Sequence, residues 1–161
     1  MSALDDLLAV ARVSARPALA NLPTRPRRGL AVLTCMDSRI DVFAVLGLEL
    51  GDAHVLRNAG GVVTEDAVRS LTLSRWLLGT DQILVLQHTR CGLHGLDEAE
   101  LKARIEASGA SVPFAFGSFD DVAESVRDSM RKLANNAILA GGTLRGAIYD
   151  VDNGELVEVS S

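Results

Sequence analysis

Short apolar runs, each closed by a glycine-rich or charged turn, mark the first half of the chain. Gly29-Leu-Ala-Val-Leu-Thr34, Ala53-His-Val-Leu-Arg57 and Gln82-Ile-Leu-Val-Leu86 are continuous, short and bounded by turn signals. Each predicts a buried strand. Elsewhere the apolar positions take helical spacing. Residues 2–16 place Leu4, Leu7, Leu8 and Ala11 on one face, with Ser2 and Asp5 as a capping signal and Pro17 as a stop. Glu65 and Asp66 open another helix, where negative charge is favoured. Val68, Leu71, Trp76 and Leu78 form its apolar face and Gly79 ends it. Residues 95–107 are helical by composition. Ser118 with Asp121 caps a further helix carrying Val122, Val126, Met130 and Leu133 at helical spacing. The end, Leu144–Asp150, then Asn153-Gly154, then Glu155–Val159, is a hairpin whose Asn-Gly supplies positive φ angles.

Strands thus alternate with helices until a terminal hairpin. The expected fold is α/β, with a mostly parallel central β-sheet flanked by helices and a C-terminal antiparallel edge hairpin. A length of 161 residues predicts one domain spanning 1–161. Residues 1–28 form its N-terminal helix and linker. Within them Asn21–Arg28 (NLPTRPRR), the one basic cluster, is expected to be solvated. The stretch Gly109–Gly117 is expected as an apolar loop packed through Phe114 and Phe116.

Charge and composition narrow the function. With 16 Lys+Arg against 21 Asp+Glu the net charge is −5, which argues against nucleic-acid binding. At 4% aromatics the chain offers no base-stacking platform. Asp5 and Asp6 stand where a secretory signal carries basic residues. No apolar run reaches the ~18–20 residues of a membrane span. The expectation is a cytoplasmic chain with reduced thiols and no membrane partner. Two cysteines leave three uses open: one bridge, a redox pair, or two metal ligands.

In sheets of this kind, sites form at the carboxyl ends of the strands. The first predicted strand runs into Cys35-Met-Asp37-Ser-Arg39, the second into Arg57-Asn58-Ala-Gly60-Gly61, the third into His88-Thr-Arg-Cys91-Gly92. Two thiolates and an imidazole suit Zn²⁺, and three protein ligands leave the open fourth position of a catalytic site. Taken singly, either cysteine is read as a small core hydrophobe. A redox pair is disfavoured, because the two are far apart in sequence and outside any Cys-x-x-Cys motif. If the segment after Cys35 is extended, Cys35, Asp37 and Arg39 point the same way. Arg39 would then fork onto Asp37 and keep it ionised beside the metal. His54, inside a strand, reads as a satisfied core histidine. His94 reads as a surface residue or a proton shuttle. Asp150-Val-Asp152-Asn-Gly154 has its glycine one position too early for a calcium loop, and a hairpin turn explains it.

Cys35-x-Asp37-Ser-Arg39, Arg57-Asn58-Ala-Gly60 and His88-x-x-Cys91-Gly92, in that order, resemble the β-class carbonic anhydrases. The resemblance runs from about Gly29 to the terminal hairpin. It implies one Zn²⁺ per chain on Cys35, His88 and Cys91, with Asp37 and Arg39 as a catalytic dyad. Asn58, Gly60 and Gly92 are then candidate substrate-binding residues. It implies reversible hydration of CO₂ to bicarbonate by zinc-bound hydroxide, with Asp37 taking the fourth position in a closed, inactive form. It also implies a homodimer or higher homo-oligomer, with the N-terminal helix on the partner subunit. The chain is short for this family and shows no counterpart of the non-catalytic bicarbonate site of larger members. Relatives with the same signature hydrolyse carbonyl sulfide or carbon disulfide, which is the alternative reading. A non-catalytic, zinc-stabilised binding or regulatory protein is the alternative outside enzymes.

Overall fold

In the computed structural model, which describes residues 2–14, 19 and 21–160, the three apolar runs form β1 (Leu30–Cys35), β2 (Ala53–Asn58) and β3 (Gln82–His88). The hairpin forms β4 (Thr143–Tyr149) and β5 (Leu156–Val159). The sheet order is β2-β1-β3-β4-β5; all neighbours are parallel except β4 and β5, which are antiparallel. This is the expected α/β architecture. Because β1 has β2 on one side and β3 on the other, the strand order reverses there, and a crevice opens beyond the carboxyl ends of β1 and β3. Cys35 ends β1 and His88 ends β3.

Helices cover both faces. Ala31, Ile83 and Val85 of the sheet pack with Leu71 of α3 (Glu65–Trp76) and with Val126, Met130 and Leu133 of α5 (Val122–Ala134). On the other face Val32, Leu86 and Ala147 pack with Ile40 and with Val42 of α2 (Val42–Leu46), and this second core runs up to Cys35 and Cys91. Each fully buried aliphatic side chain contributes about 1.5–3 kcal/mol. α4 (Glu98–Glu106) buries no side chain. No helix among the described residues is long and apolar enough to cross a membrane.

Several local expectations change. α1 (Ala3–Val13) has the predicted Ser2–Asp5 capping box but ends before Pro17, which lies outside the described residues. Trp76 faces solvent rather than the core, its indole N–H donating to Ile138 O at 3.0 Å. Asp121, not Ser118, caps α5, accepting from Glu124 N at 2.9 Å; Ser118 N instead donates to the Glu98 carboxylate. In the hairpin turn only Gly154 has positive φ, and Asn153 serves by accepting from Glu155 N at 2.8 Å. Phe114 is exposed, whereas Val112 anchors its loop.

The basic cluster is not a loose linker. Pro26 is buried, Arg27 reaches Asp52 at 2.9 Å and Glu49 at 3.3 Å, and Arg28 reaches Asp52 at 3.2 Å. Asp52 also accepts from Glu49 N at 3.0 Å. That backbone donor, then Arg27 and Arg28, hold its carboxyl below the ordinary range against the opposing effect of burial. A depressed folded pKa gives stability that is present above the unfolded value of about 3.9 and lost as pH falls through the folded value. The Tm gap between wild type and Asp52→Asn is therefore expected to be constant near neutrality and to narrow below about pH 4. A gap that widens on acidification would contradict the assignment.

A tight turn at residues 59–61 carries the chain from β2 toward α3. Gly61 has φ 63°, and a Cβ there would lie 2.8 Å from the Thr34 carbonyl carbon and 2.9 Å from Cys35 N. Neither backbone atom can yield without moving Cys35. Gly61→Ala is expected to destabilise by about 2–3 kcal/mol, a Tm loss on the order of 5–10 °C in thermal unfolding.

Candidate metal centre

Three strand ends converge on one small volume. Cys35, His88 and Cys91 are 4%, 1% and 7% exposed, and one ligand atom from each lies within 4.8 Å of the others. The sulfurs are 4.0 Å apart and unbridged. Two thiolates at 2.3 Å from one tetrahedral zinc would be roughly 3.8 Å apart, so the sulfurs already stand close to that spacing.

The histidine decides whether the donor set fits. His88 Nδ1 lies 2.8 Å from Thr89 O, a carbonyl, so this nitrogen carries the proton. Nε2 is then a bare lone pair, and it is buried without a hydrogen-bond partner among the described residues. Leaving such an acceptor unpaired costs about 1–3 kcal/mol. An orphaned imidazole nitrogen aimed at two thiols is the arrangement a soft cation relieves. Burial opposes ionisation of Cys35, while the neighbouring His88 and the Asp37 and Gly60 backbone act the other way and bring its pKa below the ordinary thiol range, to about 7. Burial pushes the Cys91 thiol up, and the charge on Cys35 adds to this.

Beside the cluster sits an ion pair. Arg39 Nε and Nη2 donate to the two Asp37 oxygens at 2.9 and 2.7 Å, and Arg39 N donates to Oδ1 at 2.9 Å. These bonds hold the Asp37 carboxyl well below the usual carboxylate range. Asp37 Oδ2 lies 3.8 Å from His88 Nε2. The pairing arises differently from the extended segment expected. Ile40 N donates to Asp37 O at 3.2 Å, so residues 37–40 form a turn, and the Arg39 amide closes on the Asp37 side chain within it.

Arg57, which the sequence offers only as part of the Arg57-Asn58-Ala-Gly60 motif, supports this geometry. Arg57 Nε donates to Cys35 O at 2.9 Å and its Nη2 to Asp37 O at 2.6 Å, so one guanidinium grips the loop on both sides of Met36. The visible signal was a basic residue at the end of β2, paired in register with Thr34. Asn58 turns away: its amide exchanges two bonds with the Val62 backbone, at 2.8 and 3.1 Å. Gly60 leaves room for Leu93, whose Cδ1 would lie 2.7 Å from an added Cβ. Gly92 is exposed, with nothing within 4 Å of where its Cβ would be. His94 lies outside the cluster, with Nε2 2.8 Å from Asp120 O and its ring stacked on Phe119. His54 is satisfied by Ser74 Oγ at 2.7 Å and Thr24 O at 3.1 Å. A cavity of about 550 Å³ is lined by Val62, Phe116 and residues of α5 but by none of the cluster, so donor chemistry rather than cavity size locates this site.

Comparison with known proteins gives the family. The carbonic anhydrase family profile matches residues 30–108. β-Carbonic anhydrase 1 of Mycobacterium tuberculosis is 40% identical over 162 residues, covering 99% of this chain and 99% of that one. The chain belongs to the β-carbonic anhydrase family. A crystal structure of carbonic anhydrase from Streptococcus mutans superposes with a TM-score of 0.87 at 39% identity, covering 99% of both chains. A carbon disulfide hydrolase of Acidithiobacillus thiooxidans is also similar, 32% identical over 155 residues, covering 80% of this chain and 71% of that one. Zinc is the metal of β-carbonic anhydrases, and the Cys35, His88 and Cys91 donors of this member fit it.

Proposed function

We propose that the chain catalyses reversible hydration of CO₂ to bicarbonate, with zinc held by Cys35, His88 and Cys91. The observation that carries this reading is the orphaned, buried His88 Nε2 facing two thiols, with the Asp37–Arg39 pair alongside. Zinc held there would lower the pKa of water from 15.7 toward about 7 and so supply hydroxide at neutral pH. Asp37, kept ionised by Arg39, is an acceptor only, so it would take a hydrogen bond from a water or hydroxide beside the cluster and orient it. Arg39 fixes the carboxylate by two-point contact. Arg57 fixes the loop that carries Asp37. Thr89 O fixes the His88 tautomer.

The similarity to a carbon disulfide hydrolase supports a second reading in which the same residues would serve hydrolysis of CS₂ or COS. Stopped-flow hydration of CO₂ and parallel hydrolysis of COS and CS₂ on one zinc-loaded sample rank the substrates. CO₂ turnover is expected to exceed the other two. Turnover of COS or CS₂ without CO₂ hydration would overturn the first reading.

The assembly is part of this proposal. α1 buries none of its own side chains, and Leu4, Leu7, Leu8 and Val10 are each more than half exposed. A second copy of the chain covers that stripe in a homodimer or larger homo-oligomer, the packing proposed for residues 1–28. Light scattering is expected to give at least twice the chain mass, reduced by deletion of residues 1–14. A monomer for the intact chain would contradict it.

A further inference from the structure

We propose that the β4–β5 turn supports the active site, with Asp152 acting through Arg90 to position Arg39. The proposal rests on the catalytic reading of the Asp37–Arg39 pair. After serving Asp37, Arg39 Nη2 also donates to Arg90 O at 3.0 Å. Arg90 has φ 54°, the one non-glycine residue with positive φ among those described. A side chain disfavours that conformation, and it persists where the surroundings over-determine it. Here the restraint comes from the hairpin. Arg90 Nε contacts Asp152 Oδ2 at 2.9 Å.

Asp152 is itself held. Its N–H donates to Asp150 Oδ1 at 2.9 Å, which also accepts from Thr89 Oγ1 at 3.1 Å. Val151 N donates to Thr89 Oγ1 at 3.1 Å. The turn therefore holds residues 89 and 90 by their side chains, while their carbonyls serve the site: Thr89 O meets His88 Nδ1, and Arg90 O meets Arg39. Asp37 does most to favour the charged form of Arg39, and the charge of Asp152 adds in the same direction. Asp152 touches neither ligand nor dyad and is a positioning residue.

The test measures kcat, KM and zinc content for wild type, Asp152→Ala, Arg90→Gly, their double variant, and Glu158→Ala. The last removes the Arg145–Glu158 pair, which lies on the same hairpin away from the site. Asp152→Ala is expected to lower kcat roughly threefold to fivefold, the reach of one exposed ion pair. KM is expected to stay within about twofold and zinc at one per chain. Glycine adopts the positive φ unaided, so Asp152→Ala changes nothing further in the Arg90→Gly background. Glu158→Ala keeps the wild-type kcat. Wild-type kcat in Asp152→Ala, an equal loss in the Arg90→Gly background, or an equal loss in Glu158→Ala would each overturn the proposal. If wild type does not hydrate CO₂, the proposed function fails instead. Crystal structures then decide the positioning claim: the Arg39–Arg90 contact is expected to be lost in Asp152→Ala, and its retention would overturn it.

Discussion

Cys35→Ser is expected to leave the protein folded but unable to retain zinc through dialysis, and without CO₂ hydration. Serine fills nearly the same volume at the end of β1, so the second core should survive. The ligand does not survive, because a serine hydroxyl stays protonated at neutral pH, whereas a thiol held below its ordinary range gives up its proton to a metal. Structural zinc sites bind with about 10–16 kcal/mol over four ligands, or roughly 3–4 per ligand. One lost thiolate thus lowers affinity about 10²- to 10³-fold. Metal analysis after dialysis against a weak chelator reads this directly. One zinc per chain in Cys35→Ser would remove Cys35 from the ligand set.

Arg39→Ala and Asp37→Ala are expected to behave in the opposite way, keeping zinc and losing turnover by about 10²-fold or more. Neither residue belongs to the Cys35–His88–Cys91 cluster, so metal affinity should hold. Asp37→Ala removes the acceptor that orients the nucleophile. Arg39→Ala acts by release, since the two guanidinium bonds to Asp37 are lost and only the bond from the backbone N–H of residue 39 remains. The freed carboxylate, 3.8 Å from His88 Nε2, is then able to swing into the position that water must occupy. Metal content and kcat measured on the same preparation separate this from a ligand defect. Full activity with retained zinc in Arg39→Ala would refute the dyad.

The parts legible in the sequence are those encoded locally. β1, β2 and β3 are short apolar runs with turn signals at both ends, and their boundaries moved by no more than two residues. Cys35, His88 and Cys91 could be placed together because parallel strands deliver their carboxyl ends to one edge. The supporting contacts were not legible because they join side chains to distant carbonyls. Arg57 reaches Cys35 O and Asp37 O across 22 and 20 residues, and Arg39 reaches Arg90 O across 51. No periodicity records such bonds. Trp76 shows a second limit: it stands at the end of α3, where its indole edge bonds a carbonyl and its ring stays in water. The Asp37–Arg39 pair was expected from residue type, but a turn produces it rather than an extended segment.

Stepwise zinc loading of the metal-free protein, with stopped-flow CO₂ hydration at about pH 8.5 after each addition, tests the central claim most directly. The expected result is turnover rising in proportion to bound zinc and levelling at one zinc per chain. A chain carrying its full zinc with no CO₂ hydration above buffer would contradict the account.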